Sequence, residues 1–179
     1  MNEVRIIGGQ WKRSKLPVAD KPGLRPTPDR VRETLFNWLG QDLGGWRVLD
    51  AFAGSGGLGF EAGSRGAAEV RMLERDAQLA RSLQQSKARL KAEALQIECT
   101  DALAWMARCE PARFELVLLD PPFGAELFNA ALAAAVRLVV PQGLIYLEAD
   151  REVAAPEGLE PWRSGKAGAV HYGLFRRLG

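Results

Sequence analysis

The 179-residue chain is predicted to fold as one doubly wound α/β domain, a mostly parallel sheet with helices on both faces. Three observations carry that prediction. From Trp46 onward, short apolar runs of strand length alternate with helix-length segments. A glycine-rich turn follows the first of these runs and opens a helix. The run Phe114–Leu119 is almost continuously apolar, as expected of a strand covered on both sides. With 47% apolar residues, a chain of this length can bury a core without disulfide or metal staples. Residues 1–26 read as a basic extension of the same domain, and 27–179 as its body.

Residues 4–7 and 15–18 read as short strands around a polar Gly-Gly-Gln-Trp-Lys-Arg-Ser stretch, a small hairpin or extended arm. Lys21–Pro28 holds three prolines and a glycine, which makes it an ordered linker rather than a helix. Thr27 is placed to cap the next helix, with Pro28 at its first position and Arg30–Leu39 continuing it. Val31, Leu35 and Trp38 share one face of that helix.

Further along, Arg47–Asp50 reads as a strand and Leu58–Ser64 as a helix, followed by a strand at Glu69–Glu74 and a charged helix at Asp76–Ala94. Leu95–Cys99 is a third strand, Ala102–Cys109 a short helix, and Phe114–Leu119 the fourth strand of the series. An Ala-rich helix at Ala125–Val140 and a strand at Gly143–Glu148 complete the alternation. The segment after Pro161 alternates loosely, consistent with a closing antiparallel hairpin.

Composition narrows the classes. The start, MNEVRIIGG, lacks a signal-peptide core, and no apolar run approaches the roughly 18 residues that cross a bilayer. The expectation is a soluble, cytoplasmic monomer. Cys99 and Cys109 match no metal or redox spacing and read as small buried apolar groups. His171 is the single histidine, which argues against multi-histidine metal sites and histidine-based triads, so no metal is expected. Net charge is +2 overall, yet residues 1–40 carry +4 and the remainder −2. A basic front on a neutral body fits either a polyanion partner or a solvated basic face.

Asp50-Ala-Phe-Ala-Gly54-Ser-Gly56-Gly-Leu-Gly59 follows a strand and opens a helix, and Gly54, Gly56 and Gly59 satisfy G-x-G-x-x-G. Glu74 ends the next strand, where an acid can accept from ribose hydroxyls. A nicotinamide dehydrogenase shares these features. Two others favour a different nucleoside. Asp50 would face a pyrophosphate unfavourably but suits a cationic amino-acid ligand such as S-adenosylmethionine, and Asp101 can accept from an adenine amine. Each acid also has a purely structural reading: Asp50 and Asp101 as helix caps, Glu74 as a surface acid beside Arg75.

Asp120-Pro121-Pro122-Phe123 directly follows the apolar strand. Two prolines stop the sheet and hold an acid, a backbone carbonyl and an aromatic ring together. The Asp120 carboxylate and the Pro121 carbonyl can each accept one N–H of a planar nucleobase amine, drawing electron density back onto its nitrogen. Phe123 can stack on the base, a contact worth roughly 1–3 kcal/mol. The structural alternative is a Pro-Pro turn with a capping acid.

Arg5-Ile-Ile-Gly-Gly, Leu24-Arg-Pro-Thr-Pro-Asp-Arg-Val-Arg-Glu-Thr-Leu-Phe-Asn37, Phe52-Ala-Gly-Ser-Gly56 and Asp120-Pro-Pro-Phe123 occur in that order. Together, from about Val4 to Arg176, they resemble the bacterial 16S ribosomal RNA guanine-N2 methyltransferases of the RsmD type. The resemblance implies a Rossmann-like, seven-stranded class I fold dependent on S-adenosylmethionine. It also implies methylation of one guanine 2-amino group in assembled or partly assembled 30S particles. Carried onto this chain, the cofactor site comprises Asp50, Phe52, Gly54, Ser55, Gly56, Glu74, Arg75, Asp101 and Ala102. The catalytic corner comprises Asp120, Pro121, Pro122 and Phe123. RNA contacts fall on Arg5, Lys12, Arg13, Lys15, Arg25, Thr27 and Arg30.

The rivals are a DNA or RNA adenine-N6 methyltransferase, a glutamine-N5 methyltransferase, an NAD-dependent dehydrogenase and a non-catalytic RNA-binding module. Adenine-N6 enzymes acting on DNA usually carry an added recognition region, whereas the roughly 65 residues between Gly54 and Asp120 are all used by the core. Glutamine-N5 enzymes usually have Asn where Asp120 stands. If the basic arm meets RNA, neutralising Lys12, Arg13 and Lys15 lowers the slope of log affinity against log salt by about 0.7–0.9 per lost phosphate contact. Filter binding over a salt series measures it, and an unchanged slope would rule the arm out.

Overall fold

The computed structural model describes residues 2–123 and 126–179. Strands β1 (Asn2–Arg5) and β2 (Lys15–Val18) form an antiparallel hairpin. Then come α1 (Asp29–Leu39), β3 (Arg47–Asp50), α2 (Gly57–Ser64), β4 (Glu69–Glu74), α3 (Ala77–Leu90), β5 (Leu95–Cys99), α4 (Ala102–Arg108) and β6 (Phe114–Leu119). They are followed by α5 (Phe128–Val136), β7 (Val139–Ala149), β8 (Leu159–Ala167) and β9 (Val170–Arg177). The main sheet has seven strands in the order β5-β4-β3-β6-β7-β9-β8. β3 to β7 run parallel, and β9 is antiparallel to both β7 and β8.

Alternation along the central strands assigns side chains to two cores. Val48, Leu116 and Leu118 face α1, α2 and α3, while Leu49, Val117 and Leu119 face α4 and α5. The hairpin belongs to the first core, because Val4, Ile6, Leu16 and Val18 all point inward. Helices α1, α3, α4 and α5 each bury one face in these cores, whereas α2 is buried along its whole length.

Several bounds differ from the sequence reading, each for a local reason. β1 starts at Asn2, since Val4 and Leu16 must pair to put both inside. Thr27 does not cap α1; Pro28 occupies the cap position with no side-chain bond, and the Thr27 hydroxyl is used elsewhere. The buried face of α1 is Val31, Arg32, Leu35, Phe36 and Leu39, while Trp38 lies at the edge, stacked on Tyr172 with centroids 5.5 Å apart. Asp76 caps α3 instead of beginning it, accepting from the Gln78 and Leu79 amides, and Lys91 ends the helix in a left-handed turn. The expected start of α5 at Ala125 lies outside the described residues. The helix ends at Val136, because Val139 already pairs with Phe114 in β7. Residues 140–143 bulge before the regular ladder resumes at Leu144 opposite Leu116. Cys99 is exposed at the end of edge strand β5 and Cys109 is half-buried, so neither is the fully buried group expected.

One buried carboxylate locks the hairpin to the body. Glu61 of α2 is 0% exposed and accepts four hydrogen bonds. The Ile7 amide (2.9 Å) and the Arg32 guanidinium (3.1 Å) donate to Oε1; the Gly8 amide (3.0 Å) and Arg65 (2.8 Å) donate to Oε2. Arg32 is itself fully buried and also donates to Asp29 and to the Thr27 carbonyl. A buried charge is tolerated when its partners are complete, and removing one side of such a pair costs about 3–5 kcal/mol. Glu61→Ala strands all four donors, so urea unfolding is expected to show a loss of about that size; a loss below about 1 kcal/mol would contradict the assignment.

Candidate active site

Strand order reverses between β3 and β6, and a cleft of about 310 Å³ opens there at the carboxyl ends of the parallel strands. Ligands of doubly wound sheets bind at such a switch point, and the volume lies at the lower end for a small-molecule site. Asp50, Glu74, Asp101 and Asp120, at or just beyond the ends of β3, β4, β5 and β6, all line it. The linker at residues 21–27 forms the opposite wall, held down by Lys21 on Asp76 at 2.8 Å.

The glycine turn is shaped for close approach. Gly56 caps α2 at φ 91°, a left-handed conformation that glycine adopts without strain. A Cβ at Gly59 would come within 2.9 Å of Asp50 Oδ2, so only glycine lets the Asp50 carboxylate accept from the Gly59 amide at 3.0 Å. Asp50 is 1% exposed, and its Oδ1 has no partner. Burial drives its pKa up to about 7, against the bond from Gly59, and nearby Glu74 adds to the rise. Glu74 accepts from the Gly54 amide at 2.9 Å and the Asp76 amide at 2.8 Å, which places it inside the site instead of on the surface. Asp101 caps α4 by accepting from the Ala104 amide at 2.9 Å while still facing the cleft. Phe52, Ser55, Arg75 and Ala102 also line the cleft, and Gly56 does not.

The Asp-Pro-Pro-Phe corner opens into the same cleft through Asp120, Pro121 and Pro122. Asp120 accepts from Arg25 Nη2 at 3.0 Å and from the Thr27 hydroxyl at 3.3 Å. Behind it lies Glu148 of β7, 0% exposed. Its Oε2 accepts from the Thr27 hydroxyl (2.6 Å) and the Tyr146 hydroxyl (2.8 Å), and its Oε1 faces Arg25 Nη1 at 3.4 Å. Burial first, and then the Glu148 charge, raise the Asp120 pKa well above the usual carboxylate range, with Arg25 opposing them. Burial and Glu148 likewise raise the Tyr146 hydroxyl. Phe123 does not offer a bare face: the Arg25 guanidinium carbon lies 3.6 Å from its ring centroid.

Of the residues expected to contact RNA, Arg5, Lys12, Arg13, Lys15 and Arg30 are exposed and outside the cleft, with Lys15 at 3.6 Å from Glu3. Arg25 and Thr27 are instead bonded to Asp120 and Glu148 at the Asp-Pro-Pro-Phe corner. Glu148, Tyr146, Arg32 and Glu61 escaped sequence reasoning, since each is defined by partners distant in the chain. Among the described residues no group of His, Cys, Asp and Glu is arranged to hold a metal ion, and no helix is long and apolar enough to cross a membrane.

The model of the family described as conserved hypothetical protein 95, that of the RsmD-type enzymes, matches residues 4–176. The chain belongs to the RsmD family. Ribosomal RNA small subunit methyltransferase D of Escherichia coli K12 is 41% identical over 180 residues, covering 98% of this chain and 90% of that protein. The solved structure of Escherichia coli yhhF, a methyltransferase by name, superposes with a TM-score of 0.89 at 39% identity over 99% of both chains. Magnesium protoporphyrin IX methyltransferase of Synechocystis, solved with bound S-adenosylmethionine, shares the fold at a TM-score of 0.62, with 17% identity over 83% of this chain and 78% of that one. The RsmD-family chain thus has the class I methyltransferase fold.

In this RsmD-family site the raised Asp50 pKa ties stability to pH. Below about pH 4 the folded and unfolded chains both hold the Asp50 proton. Between there and about 7 only the unfolded chain releases it, so folding loses stability as pH rises, by on the order of 4 kcal/mol when complete. Asp50→Asn removes that slope, so the wild-type minus variant difference from urea unfolding at pH 4–8 is expected to fall steadily and then level. A flat difference would show that Asp50 is not perturbed.

Proposed function

We propose that this chain transfers a methyl group from S-adenosylmethionine to the exocyclic N2 of a specific guanine in 16S ribosomal RNA. In this reading it acts as a monomer in the cytoplasm, on assembled or partly assembled 30S particles. The observation that carries the reading is that the acid-lined nucleoside end and the Asp120 corner open into one cleft. The name of the Escherichia coli relative supports ribosomal RNA of the small subunit as the substrate.

The residues present fit S-adenosylmethionine better than a dinucleotide. Asp50 keeps an orphaned buried oxygen, which a cationic ligand would satisfy and a pyrophosphate would not. Asp50 and the turn at Gly54–Gly56 would hold its amino-acid end, Glu74 its ribose and Asp101 its adenine amine, flanked by Phe52, Ser55, Arg75 and Ala102. When bound, it supplies a methyl group activated by a sulfonium. Orientation is then the main task of the protein, and well-aligned reactants gain roughly 7–11 kcal/mol.

Asp120 and the Pro121 carbonyl each accept one N–H of the base amine, restoring nucleophilic density to its nitrogen. The Asp120 carboxylate then takes the proton released from the methylated nitrogen, and its raised pKa makes it the stronger base for that step. The basic hairpin, through Arg5, Lys12, Arg13 and Lys15, and Arg30 on α1 supply phosphate contacts. A flipped base costs a few kcal/mol of stacking, which favours a guanine in a loop or bulge.

Nucleoside mass spectrometry of ribosomal RNA from cells with and without the protein is expected to show loss of one N2-methylguanosine. Loss of N6-methyladenosine instead would overturn the reading. Asp120→Asn, which keeps the shape and removes the charge, is expected to lower kcat by about 10²–10⁴-fold.

A further inference from the structure

Arg25 occupies the catalytic corner in an arrangement with a chemical meaning of its own. Its planar N–C–N group lies against the face of Phe123, 3.6 Å from the ring centroid to the guanidinium carbon. Along its edge, Nη2 meets Asp120 Oδ1 at 3.0 Å and Nη1 faces Glu148 Oε1 at 3.4 Å. One ring and two carboxylates thus hold a guanidine by its plane and by two adjacent nitrogens. Guanine carries the same unit: its N1–H and its 2-amino group are the donors of a guanidine fragment fused into the ring. Adenine places an unprotonated N1 beside its amine, which would set a lone pair against a carboxylate.

We infer that Arg25 is a resident stand-in for the guanine edge, and that Glu148 is a base-selecting residue. When the base comes in, Arg25 leaves Asp120 and Phe123, Asp120 accepts from the 2-amino group, and Glu148 Oε1 accepts from N1–H. Thr27 and Tyr146 both donate to Glu148 Oε2, so Oε1 is the oxygen left for the base. With 29% of its side chain exposed, Arg25 can swing outward, where its charge meets the phosphates of the incoming strand. The identity of the base rests on the proposed function; the guanidine pocket rests on the geometry alone.

Arg25→Ala should open that pocket to guanidinium ion itself. Millimolar guanidinium chloride, compared with equal sodium chloride, is expected to raise the Tm of Arg25→Ala and leave the wild type unmoved, as a ligand bound to the folded state does. It should also raise the RNA KM of the variant severalfold at unchanged kcat. Arg25→Ser, which also removes the guanidine and leaves no cation in its place, serves if the alanine variant does not fold. Adding Glu148→Gln should abolish the guanidinium response. Equal Tm responses in wild type and variant, or a response that survives loss of the Glu148 carboxylate, would overturn the inference. A protein that binds guanidinium but methylates no guanine would sink the proposed function and keep the pocket; methylation of guanine without any guanidinium response would do the reverse.

Discussion

A carboxylate with no access to water has to be surrounded by donors before the chain around it can pack. Glu61 meets that condition with donors from three places: the turn after β1, helix α1, and its own helix α2. Because α2 begins at the glycine turn, the same contact fixes the glycine-turn end of the cleft relative to the hairpin. Because Arg32 also donates to the Thr27 carbonyl, it fixes the linker that carries Arg25 and Thr27 to Asp120. A single buried ion cluster therefore ties the hairpin and the linker to the Asp-Pro-Pro-Phe corner.

The acids at the ends of the parallel strands work against the fold when no ligand is bound. Asp50 is buried and Asp120 is half-buried, each with other carboxylates nearby, and Asp50 Oδ1 has no hydrogen-bond partner. Such a cluster is a reservoir of unfavourable charge that a cation or a row of N–H groups can discharge. Arg25 discharges part of it from within the chain.

Much of this was legible from local pattern. The strand at Phe114–Leu119 and the Asp-Pro-Pro-Phe corner are contiguous in sequence, as are Asp50 and its glycine turn, so their relation needs no tertiary information. The Thr27-Pro28 pair looks like a helix cap, yet the hydroxyl goes to Glu148, because a buried carboxylate binds a hydroxyl more strongly than a helix amide exposed to water does. The Ala-rich run continues as helix by propensity, but pairing with Phe114 draws Val139 into the sheet. Glu148 and Tyr146 carry no motif; one more acid near a strand end is invisible until Thr27, 121 positions away, is seen to bond it. The same holds for Arg32, whose partner Glu61 lies 29 positions on.

The placement of β9 bears on how such a chain comes to life during synthesis. β9 inserts between β7 and β8, and its ladder along Leu144–Ala149 is what closes the strand that carries Tyr146 and Glu148. A growing polypeptide that has already emerged past β7 still has that edge unzipped, with Glu148 bordering an open groove. The surroundings of Glu148 are thus completed only when the rearmost strand pairs along β7. Half-made copies would carry every motif and still leave Glu148 without its partner strand.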